Sequence, residues 1–181
     1  MTACNTAAAA IREQTRIPTT HAAGGSGDMN NQKNTIMEIR TESGCYYEVV
    51  ASMIRTDESG IEKRVKDTVV VNAVSFTDAE EQGYRCFDGE ADVSIVNINP
   101  ATYGEIFEDT ESTADRHYYK VKVDLITVSD TGKEKRTKVT YLVHAVSATN
   151  AETITNKAIN VTTDYHVGAV VETKISEVWH G

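Results

Sequence analysis

The chain carries an internal repeat. Residues 46–81 align with residues 118–153 without a gap at an offset of 72, and 17 of the 36 aligned positions are identical. The aligned copies share Tyr-Tyr at their start and Glu-Lys-Arg-x-Lys after a glycine. So many matches in one register indicate a tandem duplication, in which each unit is one supersecondary motif that buries its apolar face against its twin.

The repeat divides the chain into three segments. Residues 1–36 are rich in Ala, Thr, Asn and Gly without periodicity, which predicts a disordered tail or a leader. Residues 37–108 form repeat 1 and residues 109–181 form repeat 2. A unit of about 72 residues gains little net stability from a core of its own. We therefore expect the two repeats to form one folding unit.

Each repeat is predicted to begin with a β-hairpin. Apolar and polar residues alternate over 46–53 and 118–125, as in half-buried strands. Gly60 and Gly132 follow short polar segments and suit a hairpin turn. The predicted core positions are Tyr47, Val49, Ala51, Met53, Val65, Val69, Val71 and Ala73 in repeat 1, and Tyr119, Val121, Val123, Leu125, Val139, Tyr141, Val143 and Ala145 in repeat 2.

A helix is predicted after each hairpin. Thr77 and Thr149 are each followed three residues later by a glutamate, which is the capping-box spacing. We therefore expect helices at about 78–87 and 150–159.

A third strand and a short closing segment complete each repeat. We expect the strands at about 92–98 and 165–171, and residues 105–107 align with 177–179. The predicted fold is α+β: two tandem β-β-α-β repeats with pseudo-twofold symmetry, in which an antiparallel-rich sheet carries the helices on one face. The sequence leaves open whether the sheet is continuous or split.

Charge is distributed unevenly between the repeats. The net charge is −9; repeat 1 has 6 basic and 15 acidic residues, whereas repeat 2 has 9 and 10. Long-range repulsion by this charge opposes indiscriminate binding to a phosphate backbone. The negative net charge does not exclude a local basic face on repeat 2.

Cysteine usage and hydropathy indicate the compartment. Cys4, Cys45 and Cys86 are odd in number and form no C-x-x-C motif, which suits a reducing cytoplasm. No apolar run is long enough for a signal-peptide core or a membrane span. We predict a cytoplasmic protein.

Repeat 2 carries the candidate contact residues. The paired Glu-Lys-Arg-x-Lys runs at 62–66 and 134–138 are either a surface for phosphate or an acidic protein, or charges that keep a strand soluble. Tyr118 lies on one predicted strand face with two lysines, as in proteins that stack bases beside cations, although tyrosine is also a common core residue of strands. The candidate residues are Tyr118, Lys120, Lys122, Lys135, Arg136 and Lys138.

No pattern of catalytic or metal-binding residues is present. The histidines His117, His144, His166 and His180 do not have metal-ligand spacing, so we expect no metal. The chain has no Walker loop, dinucleotide-binding glycine pattern or nucleophile elbow. Cys86 is expected to be a buried helix residue. We therefore predict no cofactor, no catalytic residue and no enzymatic activity.

Three segments resemble a known family. They are Ala-Val-Ser-Phe-Thr-Asp-Ala-Glu at 73–80, Tyr-Gly-Glu-Ile-Phe at 103–107 and Ala-Asp-Arg-His-Tyr-Tyr-Lys-Val at 114–121. They resemble an uncharacterised tandem-repeat domain family of Bacteroides-type bacteria, their mobile elements and their phages. The likeness covers about 46–180 and implies a cytoplasmic setting in a bacterial or phage-infected cell. It implies no activity.

These observations predict a non-catalytic binding or assembly protein. It would act through protein–protein contacts, including contacts with another copy of itself, by a sheet face or edge. The alternative is a nucleic-acid accessory protein that uses the basic and aromatic residues of repeat 2.

Overall fold

The computed structural model describes residues 45–108, 115–129, 132–159 and 164–179, so the predicted tail lies outside the described residues. This part of the chain is α+β and mostly strand. Its elements are β1 (Cys45–Thr56), β2 (Glu62–Ala73), α1 (Phe76–Cys86), β3 (Ala91–Ala101), β4 (Tyr103–Phe107), β5 (His117–Val128), β6 (Glu134–Ala145), α2 (Ala148–Ala158), β7 (Asp164–Glu172) and β8 (Ile175–Trp179).

The strands form two four-stranded sheets. The first sheet has the order β3-β1-β2-β8, and the second has the order β4-β6-β5-β7. In each sheet the hairpin and the strand next to its first arm are antiparallel, whereas the short strand beside its second arm is parallel. Both sheets are therefore mixed, and the sheet that the sequence left undecided is split.

The short strands β4 and β8 cross between the sheets. Only Thr102 separates β3 from β4, yet β3 belongs to the first sheet and β4 to the second. Thr173 and Lys174 make the reverse crossing between β7 and β8. The first half of the chain (β1 to β4) and the second half (β5 to β8) thus each complete the sheet of the other.

The described residues form four layers. α1 packs on β1, β2 and β3, α2 packs on β5, β6 and β7, and the remaining faces of the two sheets pack on each other. The helices therefore cover two different sheets, so the prediction that both pack on one face of a sheet is wrong. The core residues predicted from alternation face α1 or α2, which confirms their assignment.

The core between the sheets was not predicted as a separate layer. Its buried residues are Val70, Ala101, Tyr103, Ile106, Tyr118, Leu142, Ile175 and Val178. Val70 lies in a run of three valines at 69–71, and Leu142 lies in the apolar run 141–143, all fully buried. Consecutive buried residues in a strand mean that both faces of the strand are covered.

The helices begin two residues earlier than predicted. The N-caps are Ser75 and Ser147, not Thr77 and Thr149. The Oγ of Ser75 accepts from the amide of Asp78 at 3.1 Å, and Ser147 accepts from the amide of Asn150 at 3.2 Å. Serine is a strong N-cap because its short side chain reaches the free amides of the first turn.

The hairpin turns agree with the prediction. Gly60 and Gly132 have φ of +76° and +75°, a region that favours glycine. Asp57 stabilises the first turn, since its carboxylate accepts from the amides of Ser59 and Ile61 at 3.0 Å.

Candidate functional site

Tyr118 lies in the core between the sheets. Its side chain is 5% exposed, and its ring stacks on His144 with centroids 4.5 Å apart and planes 18° apart. Its hydroxyl donates to Oε1 of Glu108 at 2.8 Å. Burial, followed by the charge of Glu108, raises the pKa of Tyr118 far above its usual value of 10.0. The ring therefore offers no open face for a nucleic-acid base.

Lys120 belongs to a polar group at the same interface. Its Nζ donates to Oε1 of Glu48 on β1 at 2.7 Å, and the hydroxyl of Tyr103 donates to the same carboxylate oxygen. The ammonium also lies 5.8 Å from the centre of the Tyr103 ring. We call Glu48, Tyr103 and Lys120 the central polar cluster. It joins the two sheets, since Glu48 lies in the first and the other two residues lie in the second.

The central polar cluster satisfies its own charges. The side chains of Lys120 and Glu48 are 31% and 21% exposed, so the ion pair is only partly hydrated. Burial, followed by the hydrogen bond to Glu48, raises the pKa of Tyr103 well above its usual value of 10.0. Tyr103 therefore stays a protonated donor at neutral pH. Such an arrangement suits a structural contact, because its cation, anion and hydroxyl are already paired with one another.

Three predicted contact residues lie on the side of the second sheet that faces the first sheet, at the end that stays exposed. Lys138 precedes Val139, which faces α2, so Lys138 points to the opposite side of β6. Lys122 on β5 and Arg136 on β6 lie on the same side by strand alternation, and all three are exposed. We call these three residues the basic face. Lys135 is exposed on the other side of β6 and does not belong to it.

One acidic residue lies within the basic face. Asp124 lies directly opposite Lys138 across the β5–β6 pair, and His166 lies opposite Asp124 on β7. The structure thus groups three of the six predicted contact residues beside at least one carboxylate. The other predicted cation on that side of β5, Lys120, is engaged with Glu48.

The longer outer strand of each sheet presents a surface that the sequence did not identify. β3 and β7 are 11 and 9 residues long, and in the described part of the chain neither has a neighbour on its outer side. Val96 on β3 is 48% exposed and Val171 on β7 is 50% exposed. Alternation reveals a strand but not its place in the sheet, so it gave no signal for an edge.

The edge of β7 is the less protected of the two. Pro100 removes one backbone donor from β3, and its pairing with β1 shifts register twice. β7 contains no proline and shifts register once against β5. Bulges and prolines are features by which sheet edges avoid further pairing, so β7 is the edge more open to a strand from another chain.

A second exposed apolar surface lies at the start of α1. Val74 is 80% exposed and Phe76 is 53% exposed. The rings of Phe76 and Tyr47 are in T-shaped contact with their centroids 5.2 Å apart, so one side of the Phe76 side chain is held against the protein. The aligned positions in the second half are Val146, 43% exposed, and the small residue Ala148. This surface is therefore more apolar in the first half.

The described residues contain no cluster of three or more His, Cys, Asp or Glu side chains that could hold a metal ion. Burial raises the pKa of the Cys86 thiol to about 11, and nearby Glu177 and Asp67 act in the same direction. Cys86 is thus a protonated thiol at neutral pH. Neither described helix has the length and apolar character needed to cross a bilayer.

The chain matches a known protein family. The model of a domain of unknown function, DUF4494, matches residues 45–181. No curated protein and no solved structure matches the chain.

Proposed function

We propose that this chain, which belongs to this family of domains of unknown function, is a non-catalytic binding or assembly protein acting through protein–protein contacts. The observation that supports this proposal is the open edge of β7. Strand addition to such an edge supplies backbone hydrogen bonds for affinity and uses flanking side chains for specificity. Val171 is an exposed apolar side chain at that edge.

The fold itself supports this mode of contact. β8 adds in parallel to β2, and β4 adds in parallel to β6, so each half already receives a strand from the other. An extended segment of a partner, or of a second copy, would repeat on β7 a contact that this fold makes twice internally.

The test compares two exposed valines. Val171→Lys places a charge on the edge strand, where it discourages pairing. Val128→Lys is the control, because Val128 is 66% exposed but lies at the hairpin end of β5. Light scattering over a concentration series measures self-association, and pull-down followed by titration measures binding to a captured partner.

We expect Val171→Lys to weaken the contact at least tenfold and Val128→Lys to leave it unchanged. A strict monomer that captures no protein would contradict the proposed function. Equal effects of the two substitutions would contradict the assignment to the β7 edge.

An alternative function is nucleic-acid binding through the basic face. The observation that favours it is the shared exposure of Lys122, Arg136 and Lys138 on one side of the second sheet. Fluorescence anisotropy with single-stranded and duplex DNA over a salt series tests it, because each phosphate contact steepens the salt dependence. Replacing all three residues by glutamine should abolish binding, whereas Lys135→Gln on the other side should not. Absence of binding at low salt would exclude this alternative.

We also propose that the halves are tandem repeats related by a pseudo-twofold axis and form one folding unit of residues 37–181. The β2–β8 register places Val70 opposite Val178, and the β4–β6 register places Ile106 opposite Leu142, which are the same positions at an offset of 72. Because each sheet contains a strand of the other half, one cooperative unfolding transition is expected by calorimetry and by circular dichroism.

The setting is a separate proposal. The odd cysteine count and the likeness to the bacterial and phage family support a cytoplasmic location in a bacterial or phage-infected cell. Fractionation of cells that express the native gene would test it.

A further inference from the structure

Glu48 and Lys120 occupy the same position in the two aligned copies, and they contact each other. Their positions differ by the repeat offset of 72, and Lys120 Nζ lies 2.7 Å from Glu48 Oε1. We propose that this pair selects which halves associate: a first half closes on a second half and not on another first half. This inference rests on the proposed tandem repeat and is independent of binding at the β7 edge.

Two core positions near the pair are similar in both halves. Tyr46 and Tyr118 are aligned, as are Val70 and Leu142, and all four contribute to the core between the sheets. These aromatic and aliphatic positions suit pairing of any half with any other. The position of Glu48 and Lys120 differs between the halves by a reversal of charge, so it distinguishes the halves where these two core positions do not.

In a twofold interface, this difference in charge determines which side chains face each other. A residue at the axis of two identical units meets its own copy, so it faces the same side chain. Two first halves would bring Glu48 against a second glutamate, and two second halves would bring Lys120 against a second lysine. Only unlike halves place a carboxylate against an ammonium. The side chains of Lys120 and Glu48 are 31% and 21% exposed, so water screens repulsion between like charges at this position only in part.

The central polar cluster adds a second asymmetry. Tyr103 donates to Glu48, and the position aligned with Tyr103 in the second half is Ile175, which has no donor in its side chain. A carboxylate is therefore stabilised at position 48. The charge pattern has a preferred orientation, with the anion in the first half. Discrimination by repulsion against the wrong partner is a common source of specificity in protein interfaces.

Substitutions in the full chain can reproduce the disfavoured pairings. Lys120→Glu gives the second half the glutamate that the first half has at this position. The interface of this variant therefore contains two facing glutamates, as an interface between two first halves would. Glu48→Lys presents the contact of two second halves. Lys120→Gln and Glu48→Gln remove the attraction without adding repulsion. The exchange Glu48→Lys/Lys120→Glu restores opposite charges.

The measurement is the equilibrium constant of unfolding from urea titration at low and high salt. We expect each like-charge variant to unfold with a constant at least tenfold larger than its glutamine counterpart, and the exchange to recover most of that loss. High salt should reduce the difference. The control is Lys122→Glu against Lys122→Gln on the same strand and side, where Lys122 is exposed opposite Thr140. These two should differ less than twofold.

Two outcomes would overturn the proposal. One is a like-charge variant as stable as its glutamine counterpart, because repulsion would then exclude nothing. The other is an exchange variant no more stable than the like-charge variants. If a like-charge variant does not fold, a folded exchange variant supports selection, and an unfolded one rejects it. The measurement here is unfolding of the chain, whereas the edge function is measured as association, so failure here is distinguishable from failure of the edge function.

Discussion

Gly83 on α1 packs directly against Val49 on β1. A Cβ atom at the glycine would lie 2.7 Å from Cγ1 of Val49 and 3.2 Å from Cδ1 of Ile95. Glycine inside a helix costs about 1 kcal/mol relative to alanine. The close approach of α1 to the first sheet requires a residue without a side chain at position 83, because Val49 is fully buried and has little room to move.

Gly83→Ala should therefore destabilise the protein despite its better helix propensity. We expect the free energy of unfolding to fall by about 1–3 kcal/mol, as for overpacked cores. Urea titration measures it. In a Val49→Ala background the same substitution should be neutral or stabilising, because the contacted methyl group is gone. A more stable Gly83→Ala single variant would show that the helix has room to withdraw.

A similar contact holds β4 on the second sheet. A Cβ atom at Gly104 would lie 2.5 Å from Cγ1 of Val139. The aligned residue on β8, Ser176, is exposed and donates to the carbonyl of Thr68 at 3.0 Å. Gly104→Ala should lower the free energy of unfolding by about 1–3 kcal/mol, and Ser176→Ala by about 1 kcal/mol or less. Equal losses in thermal or urea unfolding would contradict this difference.

Asp78 should contribute to the acid sensitivity of the protein. The Val74 amide donates to its carboxylate at 2.9 Å and the Gln82 side-chain amide donates at 3.1 Å. These bonds hold the pKa of Asp78 below its usual value of 3.8. Because the pKa is lower in the folded state, this stabilisation is complete above the unfolded pKa and is lost as pH falls through the folded pKa.

Asp78→Asn tests this contribution, since the aligned residue of α2 is Asn150. The variant should be less stable than the wild type at neutral pH, and the difference should shrink below pH 3.8. Urea titrations from pH 7 to pH 2 provide the measurement. A difference that grows on acidification would reverse the assigned sign.

Cys86 should react slowly with thiol reagents. Its pKa is raised from 9.0 to about 11, so the thiolate fraction near neutral pH falls by about two orders of magnitude, and the thiolate is the reactive form. In a variant that retains only Cys86, alkylation of the native protein should be about 100-fold slower than alkylation after denaturation. Equal rates would indicate an accessible, ordinary thiol.

Local structure followed closely from the sequence. Alternation assigned the faces of β1, β2, β5 and β6, and the hairpin glycines were placed correctly. The helix starts were displaced by two residues, because a threonine with capping-box spacing follows each N-cap serine two residues later.

The candidate contact residues were harder to predict. Alternation correctly grouped Tyr118, Lys120 and Lys122 on one side of β5. It carried no information about what covers that side. The first sheet covers the end with Tyr118 and Lys120 and leaves Lys122 exposed, so one predicted face divides into a core, an ion pair and an open surface.

The sequence by itself determined the repeat, the hairpins and the inward side of each strand, because these depend on neighbours along the chain. Tertiary structure alone decided that β4 and β8 join the opposite sheets and that Glu48 meets Lys120. A period of two shows which side of a strand is buried but does not identify the strand or sheet on that side. That choice depends on contacts between residues far apart in sequence, which local patterns do not encode.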